Sequence, residues 1–181
     1  QSGADDVALD AALVARAFPE KPIRMHWTRE EEMKWEPFGS AMSMKVAASL
    51  DQSGKIVDWQ FELWSNTHST RPGAKTGNNL FTSWYLNDPQ KPSPITNIPL
   101  PGGGTHRNAI PLYNFPNQKV VNHLIEEMPI RASALRTLGA YANVFAIESM
   151  MDELAKAANT DPVEFRLKHM DNQRARDVIT K

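Results

Sequence analysis

Two stretches of strict apolar–polar alternation around a short turn constrain this chain more than any other feature in it. Met42, Met44, Val46, Ala48 and Leu50 alternate with Ser43, Lys45, Ala47 and Ser49, and Val57, Trp59, Phe61 and Leu63 alternate with Asp58, Gln60 and Glu62. Successive side chains of a strand point to opposite faces, so each run carries one apolar and one polar face. The intervening Asp51-Gln52-Ser53-Gly54-Lys55 offers a glycine for positive φ. The pattern predicts an antiparallel hairpin with one buried face, and something apolar must cover that face.

Helical patterns flank the hairpin at either end of the chain. Leu9, Ala12, Leu13 and Ala17 share a face between Asp5 and Ala17, with Asp5 and Asp6 in the first turn, Arg16 in the last, and Pro19 and Pro22 closing the helix. In the C-terminal third, Val144, Ile147, Met151, Leu154 and Ala158 recur at spacings of three and four. Glu148, Asp152, Glu153 and Lys156 are left for the wet side. Asp161-Pro162 reads as N-cap and first helical residue of a further helix, with Val163, Leu167 and Met170 to pack it. Shorter signals predict a strand at Ile23–Trp27, a Thr28/Glu31 capping box opening a helical turn through Met33, and a strand at Val120–Ile125. Helices flanking an antiparallel hairpin make the expected fold class α+β.

The organisation expected is one unit over 1–181: helix, strands and hairpin in 1–66, a Pro/Gly-rich loop region in 67–128, and a loop with helices in 129–181. Nine of the thirteen prolines fall from Pro72 to Pro129, and Gly102-Gly103-Gly104 interrupts the same stretch. That density of breakers leaves room for few regular elements. Phe81, Trp84, Tyr85, Tyr113 and Phe115 argue for order there nonetheless.

Composition excludes several functions. The 181 residues are 41% hydrophobic and 23% charged with a formal net charge of −1, so the chain has no basic footprint for nucleic acid. No apolar run approaches membrane-spanning length. With no cysteine, the chain holds no disulfide, no thiolate nucleophile and no iron–sulfur cluster of its own. His26, His68, His106, His123 and His169 lack short metal-ligand spacing, so no metal-ligand set is expected. Glu30-Glu31-Glu32 point in different directions on a helical turn and read as a solvated face. The triple glycine is followed by no G-K-[ST], and Ser69, Ser133 and Ser149 lack the nucleophile-elbow context. No catalytic residue is expected in the chain.

The segment from Pro129 to Ala140 stands apart. Small residues and Gly139 lead directly into the strongest helical pattern of the chain. Backbone amides at a helix entrance can meet an anion or a cofactor's polar edge, and Arg131 or Arg136 could add charge-assisted hydrogen bonds. The alternative is a tight loop before a core helix, its arginines paired with nearby acids.

Ala134-Leu135-Arg136-Thr137-Leu138-Gly139-Ala140-Tyr141-Ala142-Asn143-Val144-Phe145-Ala146-Ile147-Glu148, then Met151-Asp152-Glu153-Leu154-Ala155 and Asp161-Pro162-Val163-Glu164-Phe165-Arg166, resembles a loop-plus-helix signature of the xanthine dehydrogenase/aldehyde oxidase-type molybdenum hydroxylases. In that family the loop reads F-R-G-F-G, followed by D-E-L-A and D-P-x-E-x-R. Pro22 to Met33 resembles the family's P-V-K-x-x-W-x-R-E-E-D-M stretch, and Leu50 to Trp59 its L-D-x-x-G-x-I-v-x-W passage. Thr137 and Leu138 stand where the pattern has Gly and Phe, which suggests the isoquinoline 1-oxidoreductase/nicotinate dehydrogenase-like branch.

The resemblance implies a molybdopterin-binding large subunit that hydroxylates an aldehyde or N-heteroaromatic ring with oxygen from water. The molybdenum cofactor, expected in its cytosine dinucleotide form, would accept two electrons. It implies as partners the rest of the large subunit, an iron–sulfur subunit, and a cytochrome c or another electron acceptor. Carried over residue by residue, Leu135 and Arg136 would approach the cofactor through backbone amides, Gly139 would support the bend, and Ser2 and Gly3 would trail a glycine-rich motif. The family's catalytic glutamate sits in a G-x-G-E motif, which does not occur here. The chain is therefore expected to be an internal piece of a longer subunit, inactive and cofactor-free alone. The alternative is a non-catalytic binding module using the aromatic-rich loop 72–118.

Overall fold

The computed structural model describes residues 5–70, 79–90, 92 and 94–181. Its elements in chain order are α1 (Asp6–Ala17), α2 (Arg29–Trp35), β1 (Phe38–Gly39), β2 (Met42–Leu50), β3 (Ile56–Asn66), β4 (Gln118–Ile125), β5 (Ala132–Ser133), α3 (Ala140–Ala157), α4 (Pro162–Lys168) and α5 (Gln173–Thr180). A 3-10 turn at Phe81–Tyr85 breaks the long connection from β3 to β4. The fold is α+β.

β2 and β3 pair antiparallel with Val46 opposite Phe61 and Met44 opposite Leu63, so the two apolar faces coincide. The turn is held by the Asp51 carboxylate, which accepts from Ser53 N at 2.8 Å, Ser53 Oγ at 2.7 Å and Lys55 N at 3.0 Å. Gly54 takes a φ of 73°, a conformation that costs a glycine nothing. The sheet is mixed rather than purely antiparallel, because β4 adds to β3 in parallel, with Val120 opposite Phe61. The separate β1–β5 ladder is also parallel and ties Phe38-Gly39 to Ala132-Ser133.

α3, α4 and α5 cover the apolar face. Trp59, Phe61, Leu63, Ile147, Met151, Ala155 and Phe165 are all buried in one cluster, with Met44, Val46 and Val120 packed against it. Burying a large apolar side chain contributes roughly 1.5–3 kcal/mol, so this cluster dominates the cohesion of the unit. Trp59 stacks on Phe115 at 4.8 Å between ring centroids. Tyr113 and Phe115, from the proline-rich stretch, are thus core residues. His169 fastens α4 to the sheet: its Nδ1 donates to Phe165 O and its Nε2 accepts from Ile56 N.

Some expectations differ from the structure. Ile23–Trp27 forms no strand and joins neither sheet among the described residues. Val144 and Val163 face outward, at 39% and 45% exposed; the core side of α3 is occupied by Asn143, Ile147 and Met151, and that of α4 by Phe165. Glu148 is not simply on the wet side: it accepts from Tyr113 Oη at 3.0 Å and from Arg166 Nε at 2.7 Å. Burial and the neighbouring Glu148 carboxylate both push the Tyr113 phenol up from its ordinary value. This network lies at one side of an open, largely apolar groove of about 580 Å³ between residues 108–113, α3 and α5. No helix is long and apolar enough to cross a membrane among the described residues.

Candidate functional site

The loop before α3 is an arch anchored at both ends. On the entering side, Ala134 N and Ser133 Oγ both donate to Thr70 O, at 3.2 and 2.6 Å. The Leu135 side chain fills the space beside Gly39, where a Cβ would collide with it. Leu135 therefore serves as a packing anchor through its side chain. Its carbonyl accepts from Leu138 N at 3.0 Å, closing a four-residue turn.

Within that turn Thr137 has a φ of 80°, the value a type II turn requires at its third residue and normally assigns to glycine. Leu138 follows at 55°, so two consecutive non-glycine residues are left-handed. The expected role of Gly139 needs revision in one respect. Its φ is an ordinary −70°, and the bend lies at Thr137–Leu138. Gly139 is required for space, because a Cβ there would run into the carbonyl oxygens of Gly104 and Thr105.

The two arginines of the segment differ in their surroundings. Arg131 is structural: its Nη1 lies 2.9 Å from both carboxylate oxygens of the buried Asp6 and 2.6 Å from Asn79 O. Its Nη2 donates to Trp35 O. Asp6, whose position suggested only helix-start electrostatics, also accepts from Phe81 N at 2.8 Å, so it joins α1, the 3-10 turn and the arch. Arg136, by contrast, is exposed at the crown and makes no ion pair among the described residues. The backbone N–H groups of Arg136 and Thr137 likewise have no partner among the described residues. Ser2 and Gly3 lie outside the described residues.

Beneath the arch runs a polar seam that the sequence did not disclose. Asn97 Oδ1 accepts from Ile98 N and Thr105 N, and its Nδ2 donates to Thr105 Oγ1 at 2.7 Å and lies 2.9 Å from His106 Nδ1. Thr105 Oγ1 donates in turn to Asn122 Oδ1 of β4 at 2.8 Å. The fully buried Asn143 donates from Nδ2 to Thr105 O and Arg107 O, at 2.8 and 3.0 Å. Burial lowers the His106 imidazole below its ordinary value. A second buried patch holds Thr67, His68 and Ser69, where burial brings His68 down to about 4. No group of three or more His, Asp or Glu is placed to hold a metal ion among the described residues.

Residues 98–170, which span the triple glycine, the seam except Asn97, the arch and α3, match the sequence profile of the molybdopterin cofactor-binding domain. The chain is 36% identical over 176 residues to a nicotinate dehydrogenase subunit from Pseudomonas putida, covering 97% of this chain and 14% of that protein. It is 28% identical over 163 residues to the isoquinoline 1-oxidoreductase beta subunit of Brevundimonas diminuta, covering 90% of this chain and 18% of that protein. A membrane-bound aldehyde dehydrogenase of Gluconacetobacter polyoxogenes is 22% identical over 93% of this chain and 20% of that protein; its name specifies pyrroloquinoline quinone, so it carries no argument about a pterin. The chain thus spans a fifth or less of the length of these relatives.

Proposed function

Because the chain belongs to the molybdopterin-binding family of xanthine dehydrogenase type, we propose that its 135–139 arch presents backbone donors and the Arg136 guanidinium to a molybdenum cofactor. The observation that carries this reading is the donor set at the crown: an exposed arginine without an ion pair and two backbone N–H groups without acceptors, all among the described residues. Such donors suit the acceptor-rich edge of a pterin or its phosphate. The rigid arch would orient them before binding, which preserves the free energy otherwise lost in ordering a loop.

In the intact protein the cofactor would supply two-electron redox chemistry for hydroxylation, with oxygen from water. The substrate class is an N-heteroaromatic ring or an aldehyde, supported by the names of the relatives. The cytosine dinucleotide form, an iron–sulfur partner subunit and an onward acceptor such as a cytochrome c belong to the same proposal. Ser2 and Gly3 would continue the cofactor-facing surface on the other side. The chain by itself contributes positioning and no general base, so it should be inactive alone.

The test is metal and nucleotide analysis of the intact subunit with its partners, comparing wild type with Arg136→Gln. Wild type should carry molybdenum and release cytidine monophosphate on acid hydrolysis, and the variant should hold several-fold less of both. Equal molybdenum content in the two would remove Arg136 from the site. Turnover of nicotinate-like heterocycles and aldehydes in ¹⁸O-labelled water assigns substrate and oxygen source in one experiment.

A further inference from the structure

Two consecutive left-handed residues that are not glycine store strain. Each costs about 1–2 kcal/mol relative to the right-handed region. Such conformations persist only where their surroundings over-determine them. The arch from Leu135 to Gly139 therefore needs a rigid abutment at each end. The entering end has the Thr70 carbonyl and the Leu135–Gly39 contact. At the leaving end, everything converges on one short backbone segment, Gly104–Arg107.

Gly139 N donates to Gly104 O at 3.1 Å, and the absent Cβ lets the helix start directly against that carbonyl. One helical turn later, on the same face of α3, Asn143 Nδ2 grips Thr105 O and Arg107 O. The gripped segment cannot recoil, because Asn97 binds Thr105 N from behind and Thr105 Oγ1 is tied to Asn122 on β4. Asn143 is wholly buried, so its side chain serves no solvent-facing purpose.

We propose that Asn143 is a positioning residue for the cofactor-facing arch: with Gly139 it clamps the start of α3 onto the 104–107 backbone and so holds Thr137 and Leu138 in their left-handed conformation. The inference rests on the reading of the arch as the cofactor-facing element. The clamp acts through the arch and touches no cofactor.

Hydrogen–deuterium exchange on the intact subunit, with molybdenum content measured in parallel, separates the two ideas. Asn143→Leu keeps the branched shape, with methyl groups bulkier than the amide, and removes both donors. Exchange at the hydrogen-bonded amides of the arch, Leu138, Gly139 and Ala140, should quicken about tenfold, while the amides of β2, β3 and the second half of α3 stay at wild-type rates, and molybdenum content should fall several-fold. Unchanged exchange at the arch overturns the clamp. Faster exchange with full molybdenum leaves the clamp standing and overturns the cofactor-facing reading. If Asn143→Leu loses protection throughout, Asn97→Ala loosens the same segment from the other side without touching α3. Selective loosening of the arch there supports the clamp, and uniform loss in both variants reduces Asn143 to a fold-stabilising residue.

Discussion

Thr137 occupies the one position of its turn where a side chain is a liability. A β-branched residue at a φ of 80° crowds its own carbonyl, whereas glycine takes that conformation freely. Replacing it should relieve about 1–2 kcal/mol of strain while adding back some unfolded-chain entropy, so Thr137→Gly is expected to stabilise the fold by roughly 0.5–1 kcal/mol. Thermal melting checks this, and a lowered melting temperature would mean that the Thr137 side chain makes a stabilising contact. His68 makes the opposite kind of statement. Buried beside Ser65 Oγ at 3.2 Å, with Nδ1 left without a partner, it is held neutral down to a pKa of about 4 against 6.5 for the free group. Between those values the unfolded chain binds more protons, so stability falls as pH drops from 6.5 toward 4, by on the order of 3 kcal/mol for this residue. His169, lowered mainly by burial, adds to the same acid limb. Denaturant titrations at stepped pH should show that limb flattened in His68→Leu; an unchanged slope would assign the loss to other groups.

At the scale of elements, the cohesive pieces are those whose signals lie close together in the chain. The Thr28 hydroxyl accepts from Glu31 N and the Glu31 carboxylate accepts from Thr28 N, a reciprocal cap readable from a spacing of three. Asp161 Oδ1 caps α4 by accepting from Val163 N and Glu164 N. Asp161→Ala should therefore cost about 1 kcal/mol, read in a denaturation midpoint, with the α3 half of the core intact. The hairpin was legible for the same reason: a period of two and a turn residue suffice. What the sequence could not disclose depends on partners far away. Asp6 and Arg131 lie 125 positions apart, and Asn143 and Thr105 lie 38 apart; no spacing rule announces either pair. Val144 fits the apolar stripe as well as Ile147 does. Only the placement of residues 105–107 against α3 makes Asn143 the inward residue instead. The arch before α3 was half visible: its glycine and arginine stood out, while its strain and its abutment did not.

At the scale of the whole molecule, the apolar face of one hairpin is shared by all the major helices except α1 and α2, which attach through Asp6 and the aromatic contacts of Trp35 and Phe81. The parallel entry of β4 has a kinetic consequence. An antiparallel third strand could have followed β3 through a tight turn, but a parallel one obliges the chain to travel from Asn66 back to Gln118 before pairing begins. Closing so long a loop loses entropy before any ladder offsets it, and contacts of high sequence separation slow folding. The β2–β3 hairpin should form early and β4 should dock late. Val46→Ala is then expected to slow refolding, and Val120→Ala to speed unfolding while leaving the refolding rate nearly unchanged; stopped-flow chevrons distinguish the two, and equal effects on refolding would reverse the order. The Asn122 that anchors the seam rides on that late strand, so the support beneath the arch is completed only as the last act of folding.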